Sequence, residues 1–376
     1  MKFDYSLPVN LHFGVGRTEE LGKLTAVWGR KALVVTGRGS SKKTGLLERA
    51  GWLLQRQGVE CVLFDQVTPN PLSSTAERGT VLAMQENCDV VVAIGGGSII
   101  DCAKAIAFMV RNRGDIFDYI YGRKSGTQAL PLIALPTTCG TGSEGNSFAV
   151  LTDPKTKDKK SLRNPANIPK ASIIDPELMV TMPDSTAASV MFDALCHNME
   201  AYLSTNAQPL VRLQALEGVR LLSQNMREAL KDRRNMEAWS KVCLGSTMGG
   251  MSIGVAGVTL PHGMEHPASG LRDIVHGRGL AALAPVIYEA SWREMPELFG
   301  ILAGAMGGHS ADEFVPLLQK LLADIRMTTT LKEEGVQKED LDWMTDNCLK
   351  VSEGAIQSHP VRFERDQIRE LYLKAL

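Results

Sequence analysis

Four short apolar runs, spaced by helical periodicity, govern what the first half of this sequence can become. Residues 32–36 (Ala-Leu-Val-Val-Thr), 60–64 (Glu-Cys-Val-Leu-Phe), 89–94 (Asp-Val-Val-Val-Ala-Ile) and 130–135 (Leu-Pro-Leu-Ile-Ala-Leu) are rich in β-branched and aliphatic residues. Gly, Pro, Asp or Thr bounds each run, as expected for strands buried on both faces. Between the first two runs, 44–57 sets Leu46, Leu47, Ala50, Leu53 and Leu54 on one helical stripe. Between the second and third, 73–86 does the same with Thr75, Ala76, Val81, Leu82 and Met84. Strand–helix–strand alternation with apolar strands predicts an α/β unit with a parallel sheet, whose ligands gather beyond the carboxyl ends of the strands.

After about residue 180 the strand-like runs nearly vanish. Helical periodicity is expected over 187–203, 209–230, 237–253, 280–290, 312–326, 338–349 and 366–376. Asp175-Pro176 and Met182-Pro183 punctuate the change, because a residue before proline leaves the helical region. Two domains are expected: an α/β unit over 1–180 and an all-helical unit over 181–376. The basic stretch 155–160 reads as a solvated turn at the edge of the sheet unit.

Composition removes several classes of function. The 41 basic and 42 acidic residues nearly cancel, which denies the chain the electrostatic footprint of a nucleic-acid binder or a polybasic membrane protein. No 18-residue apolar run is present to span a bilayer, and Met1-Lys2-Phe3-Asp4 does not open a secretory signal. Seven scattered cysteines without a C-x-x-C pair suit a reducing cytoplasm.

Three stretches carry chemistry. Gly95-Gly96-Gly97-Ser98 ends the third run and opens a helix at or near Ser98. Glycines admit a ligand close to the backbone, and a helix start offers unpaired N–H groups to an anion such as a pyrophosphate. It is not the G-x-G-x-x-G fingerprint, and a turn made for packing reads the same way. Pro136-Thr137-Thr138-Cys139-Gly140-Thr141-Gly142-Ser143-Glu144 follows the fourth run and again combines glycines with hydroxyls. Two such turns at the ends of two strands of one sheet point at one cleft.

The third stretch is a cluster of histidines. Asp193 and His197 stand four apart on one helical face; His262, His266 and His276 follow, so that four of the seven histidines fall within 80 residues. One carboxylate with three imidazoles suits Zn2+ or Fe2+ rather than Mg2+ or Ca2+, and leaves a position for substrate. A His-rich helical interface is the plainer alternative, and spacing leaves His266 open as a ligand. His12, His309 and His359 are read as surface or packing residues, and Cys139 and Cys196 as small buried ones.

Taken in order, these stretches resemble the iron-containing alcohol dehydrogenase family. The resemblance runs from Gly14 to the C-terminus and includes Gly95–Lys104, Pro136–Glu144, Ile174–Leu178, Met182-Pro183, Asp193–His197, Glu200-Ala201-Tyr202 and the His-Gly pairs at 262 and 276. It implies a dehydroquinate synthase-like architecture: a Rossmann-like α/β nucleotide-binding domain and an all-α domain, with the active site between them. It also implies Asp193, His197, His262 and His276 as metal ligands, with His266 beside the nicotinamide or in a proton relay. Gly95, Gly96, Gly97 and Ser98 match the pyrophosphate loop, and Asp101 the polar position on its nicotinamide side. Thr137, Thr138 and Thr141 match the second nucleotide turn, and Lys159, or Lys160, the lysine that reaches the ribose.

Several positions depart from the family pattern: Cys196 before the first ligand histidine, Met191 two before the ligand aspartate, and Thr186 at a common leucine. At the end of the first run NAD-preferring relatives often carry a carboxylate for the ribose 2′-hydroxyl. Here Gly37 stands in a Gly-Arg-Gly-Ser-Ser-Lys stretch, where Ser40, Ser41 and Lys42, or Arg38, suit a 2′-phosphate. NADP(H) is therefore favoured over NAD(H). The expected reaction is reversible hydride transfer between a primary alcohol and its aldehyde, with Asp193, His262 and His266 as catalytic residues and one divalent metal, Fe2+ or Zn2+. A cytoplasmic homo-oligomer, dimer or larger, with no nucleic-acid or membrane partner, completes the expectation. The rivals are a glycerol or polyol dehydrogenase, a related cyclase, and a non-catalytic nucleotide- or metal-binding homologue.

Overall fold

Each apolar run of the first half becomes a strand of one parallel sheet. The computed structural model describes residues 2–376. Its strands are β1 Leu11–Phe13, β2 Lys31–Gly37, β3 Glu60–Val67, β4 Val90–Gly95, β5 Leu132–Pro136, β6 Phe148–Thr152, β7 Lys159–Arg163 and β8 Ala171–Ile174. Six of them form a sheet in the order β1-β8-β5-β4-β2-β3, with every neighbouring pair parallel. Residues of β4 alternate between two cores. Val91 and Ala93 pack with Ile100 and Ile106 of the helix Gly97–Met109, while Val90, Val92 and Ile94 pack with Leu46, Ala50 and Leu53 of the helix Leu46–Gln55. A strand covered on both faces has no use for alternation, which is why it reads as one continuous apolar run.

The strand order sets the position of the cleft. β2 lies between β3 and β4, so the chain leaves β2 in one direction and returns on its other side. The crevice of such a sheet opens at that reversal, beyond the carboxyl ends of the strands. Gly37 ends β2 and Gly95 ends β4.

Four features differ from the sequence-based expectation. The helix expected over 44–57 is Leu46–Gln55: Gly45, left-handed with φ of 72°, separates it from a short preceding helix, Ser40–Lys43. β1 and β8, too short to carry a pattern, complete the sheet on one side. The basic stretch 155–160 is a turn only in its first half; Lys159 and Lys160 belong to β7, which pairs with β6 in an antiparallel hairpin against the helix Gly97–Met109. The helix Leu260–Arg272 also went unread, since Pro261 and Pro267 interrupt its pattern.

Beyond Ile174 the described chain is helical. The long helices Asp184–Leu203, Pro209–Lys231 and Met236–Ala256 pack on one another and bury Phe192, Val219 and Trp239. Tyr288, Phe299 and Phe314 close the same core edge-to-face, with ring centroids 5.2 to 5.9 Å apart. Among the described residues no single helix is long and apolar enough to cross a membrane. All seven cysteines are free.

The sheet and the helices meet backbone to backbone at Gly142, in the turn after β5, and Gly250, in the helix Met236–Ala256. A Cβ on Gly250 would lie 2.0 Å from the Gly142 carbonyl oxygen, and one on Gly142 would lie 2.4 Å from the Gly250 Cα. Asn146 ties the junction by donating to both carbonyls, at 3.3 and 3.1 Å. Neither backbone can yield without moving an element of the cleft. Gly250→Ala is therefore expected to destabilise the protein by about 1–3 kcal/mol, as overpacking does; urea or thermal unfolding measures this, and a variant as stable as the parent would contradict the contact.

Candidate metal centre and nucleotide cleft

Three helices bring four nitrogen and oxygen ligands to one point. The helix Asp184–Leu203 carries Asp193 and His197 one turn apart, Leu260–Arg272 carries His262 near its start, and His276 opens His276–Ser291. The Nε2 atoms of His197, His262 and His276 lie 3.5, 3.3 and 3.6 Å from the same oxygen, Asp193 Oδ1. Asp193 Oδ1 and His262 Nε2 are buried, and neither has a hydrogen-bond partner. A buried polar atom without a partner costs about 1–3 kcal/mol, so this arrangement is stable only around something that fills its centre.

The other ring nitrogen of each histidine is held. His262 Nδ1 pairs with Glu200 Oε1 at 2.5 Å, and Glu200 also accepts from the Thr259 backbone N–H at 2.7 Å. His276 Nδ1 pairs with Glu265 Oε2, whose Oε1 accepts from Ser269 Oγ. His197 Nδ1 faces the Gly140 carbonyl at 3.4 Å. With Nδ1 donating, each Nε2 keeps its lone pair for the centre, the arrangement that a metal-binding imidazole uses. An N3O set of this kind fits a divalent cation of the Fe2+ or Zn2+ type.

The local electrostatics agree. Burial disfavours the charged form of Asp193, but His197, His276 and His262 outweigh it and hold the carboxyl well below the usual range. Burial also opposes charge on His262, yet Glu200 and Asp193 raise its pKa to about 10, so this position favours a positive charge, which a bound cation would supply in place of the ring's second proton. His197, where burial dominates, falls to about 4. The site gathers negative charge that one divalent cation neutralises.

These residues line one wall of a cavity of about 980 Å3 that runs from the histidines to the ends of β2, β3, β4 and β5. Gly37, Arg38, Ser40, Gly96, Gly97, Ser98, Asp101, Thr138, Thr141, Lys159 and His266 also face it. Gly97 must be glycine here: a Cβ would lie 2.2 Å from Thr141 Cγ2, so the two glycine-rich turns touch where the helix Gly97–Met109 begins. Gly95 lies just before that turn, at the end of β4.

Other expected residues stand elsewhere. Ser41 is buried with its hydroxyl 2.7 Å from Thr36 Oγ1, and Lys42 reaches Asp65 at 2.5 Å, so neither faces the cavity. Thr137 lines a smaller neighbouring hollow with Ser40 and Ser41. The Asp101 carboxylate is already engaged, accepting from Ser143 Oγ at 2.6 Å and from the Val150 N–H at 3.1 Å. Lys160 turns away from the cavity to donate to the Val351 carbonyl, whereas Lys159 stays inside, donating to Asn70 Oδ1 at 3.0 Å. His266 faces the cavity, its ring 5.8 Å from that of His276; burial and then Lys159 push its pKa well below the usual value.

Sequence reasoning assigned no role to Glu200 and Glu265, although a signal was there. Each lies three residues after a clustered histidine, Glu200 after His197 and Glu265 after His262. Each serves a histidine of a different helix, which spacing cannot reveal. Lys104 was likewise passed over; it is fully buried, and it donates to the Ser143 and Phe148 carbonyls at 2.6 and 2.8 Å, binding the hairpin to the cleft floor.

Comparison with known proteins accounts for this arrangement. The family described as iron-containing alcohol dehydrogenase matches residues 8–176, and the C-terminal region of the Fe-containing alcohol dehydrogenase family matches 186–376. The chain is 33% identical to the 1,3-propanediol dehydrogenase of Citrobacter freundii, over 99% of this chain and 98% of that one. It is 29% identical to the NADH-dependent butanol dehydrogenase A of Clostridium acetobutylicum, over the full length of both. Among solved structures, an archaeal halo-thermophilic alcohol dehydrogenase from a Red Sea brine pool superposes with a TM-score of 0.96 at 31% identity, covering 100% of this chain and 99% of that one. Both halves of the chain, and the fold that joins them, thus belong to the iron-containing alcohol dehydrogenase family of oxidoreductases.

Proposed function

We propose that this protein is a metal-dependent, NAD(P)-linked alcohol dehydrogenase, or aldehyde reductase, that moves a hydride reversibly between a primary alcohol and its aldehyde. The observation that carries this reading is the pair of unsatisfied buried atoms, Asp193 Oδ1 and His262 Nε2, at the centre of a ligand set opening on the same cavity as the glycine turn. Asp193, His197, His262 and His276 would hold the divalent cation. Gly96, Gly97 and Ser98, following Gly95, would cradle the pyrophosphate at a helix start, with Thr138 and Thr141 beside it and Lys159 toward the ribose. Bound there, the cation supplies Lewis acidity toward the substrate oxygen and the nicotinamide accepts or returns the hydride.

The chain's own residues do the rest. Glu200 and Glu265 fix the tautomers of His262 and His276 and so aim their Nε2 atoms. His266, kept neutral by burial and by Lys159, is suited to take up the hydroxyl proton at a ring nitrogen and pass it toward the ribose. Val190, Ile253 and Val258 line the cavity near the histidines and exclude water.

For the coenzyme, Gly37 removes the carboxylate that would repel a 2′-phosphate, and Arg38 faces the cavity there. Ser40 also faces it, whereas Ser41 and Lys42 are otherwise bonded, so Arg38 and Ser40 carry the preference for NADP(H). The free cysteines support a reducing, cytoplasmic setting. Exposed Leu210, Leu213 and Leu244, on two packed helices, support a homo-oligomer.

Three outcomes test this reading. His262→Ala should lose bound metal, by elemental analysis, together with turnover; retention of both would refute its ligand role. Glu200→Gln should keep the fold and weaken metal affinity by about 10- to 100-fold in a chelator competition. The parent enzyme should show a higher kcat/KM with NADPH than with NADH, and Gly37→Asp should invert that order; equal use of both coenzymes by the parent would remove the 2′-phosphate argument.

A further inference from the structure

The hairpin wall of the cavity carries a cation, Arg163, that lies outside the metal-ligand set and the glycine turns. β6 and β7 pair Phe148 with Arg163, Val150 with Ser161 and Thr152 with Lys159, so these side chains share one face of the hairpin. Phe148, Val150, Lys159, Ser161 and Arg163 all line the cavity. Lys159, at one end of β7, is bonded to Asn70 and lies 3.7 Å from Glu265, which ties it to the nucleotide side and to the His276 position. Arg163, at the other end of β7, lies about 13 Å further along the strand.

Arg163 has no carboxylate partner and no side-chain hydrogen bond among the described residues. Its guanidinium instead stacks on the Phe148 ring, 4.4 Å from the centroid. Phe148 is itself pinned, its N–H donating to Asn146 Oδ1 at 2.9 Å and its carbonyl accepting from the buried Lys104. The Arg163 side chain is exposed where the hairpin meets the mouth of the cavity, and the protein packed around it lowers its pKa from the usual value. The carboxylates on the cavity wall have other work: Asp101 accepts from Ser143 and Val150, Asp193 faces the histidines, and Asp273 accepts from Asn70. A guanidinium held against an aromatic ring at the mouth of the cavity, without an acid partner, is a ready site for a planar or tetrahedral oxyanion, which it binds through paired N–H groups. In the reading proposed above, the coenzyme's phosphates lie at the glycine turn and Arg38, which belong to the sheet rather than to the hairpin.

We infer that Arg163, stacked on Phe148, anchors an oxyanion group at the far end of the substrate, so that the substrate class is an aldehyde or primary alcohol bearing a terminal carboxylate, sulfonate or phosphonate. This rests on the dehydrogenase reading above and narrows it. The aldehyde, NAD(P)H and one proton give the alcohol and NAD(P)+; the oxyanion is held and leaves unchanged. Arg163 is a specificity-determining residue.

The test uses the metal-loaded enzyme with the series from 4-oxobutanoate to 8-oxooctanoate, each against the neutral aldehyde of the same carbon count, with sulfonate and phosphonate analogues at the best length. At one chain length the acid should exceed its neutral counterpart in kcat/KM by about 10- to 100-fold, the worth of a charge-assisted bond. In Arg163→Met that ratio should collapse toward unity, mainly through KM, and Arg163→Lys should restore part of it. Turnover of neutral aldehydes with no preference for acids at any length, or an undiminished preference in Arg163→Met, overturns this inference and leaves the dehydrogenase reading intact. No turnover of any aldehyde with either coenzyme overturns both.

Discussion

The carboxylate of Asp193 lies at the meeting point of three imidazoles borne by three helices, and the helical half of the molecule is arranged to keep it there. Two of those imidazoles are oriented by buried carboxylates, Glu200 and Glu265, and the third by the Gly140 carbonyl. Each Nε2 thereby faces Asp193 Oδ1 rather than a protein donor. Three acids in so small a volume would repel one another strongly in a low-dielectric interior. A divalent cation at the centre would offset that repulsion.

The glycine turns depend on that placement. A Rossmann-like crevice at the reversal between β2 and β4 would bind a dinucleotide in many settings. Here the turn after β5 touches the helix Met236–Ala256 at Gly142 and Gly250, and Gly140 of the same turn also supports His197. The backbone that frames the glycine-turn end of the cavity therefore also positions the histidine end. A displacement of either half would be felt in the other, because no side chain lies between the two backbones to absorb it.

The β6–β7 hairpin is the third wall. Lys104, fully buried yet satisfied by the Ser143 and Phe148 carbonyls, secures it to the sheet half. Asp158, at the start of the hairpin's second strand, accepts from Tyr121, Asn347 and Lys350 and secures it to a late helix. Firm anchoring at both ends is what lets the side chains between Lys159 and Arg163 define a pocket rather than a flexible flap.

The parallel sheet, the helical second half and most members of the cleft are legible in local sequence pattern. Val90–Ile94 is apolar on both faces because it is covered on both; Asp193 and His197 share a face because a helix repeats every 3.6 residues. Such information is local, and it reads directly. What only the tertiary structure decided is non-local or too short to carry a period. β1 and β8 have three and four residues. The helix with His262 is masked by two prolines, and Gly45 makes the helix after it start at Leu46 rather than at 44. Glu200 lies near His197 in sequence but serves His262. Ser41 and Lys42 sit in a stretch that looks suited to phosphate, yet Thr36 and Asp65 claim them first. Which partner a polar side chain finds is a competition settled in space, and spacing along the chain does not encode its outcome.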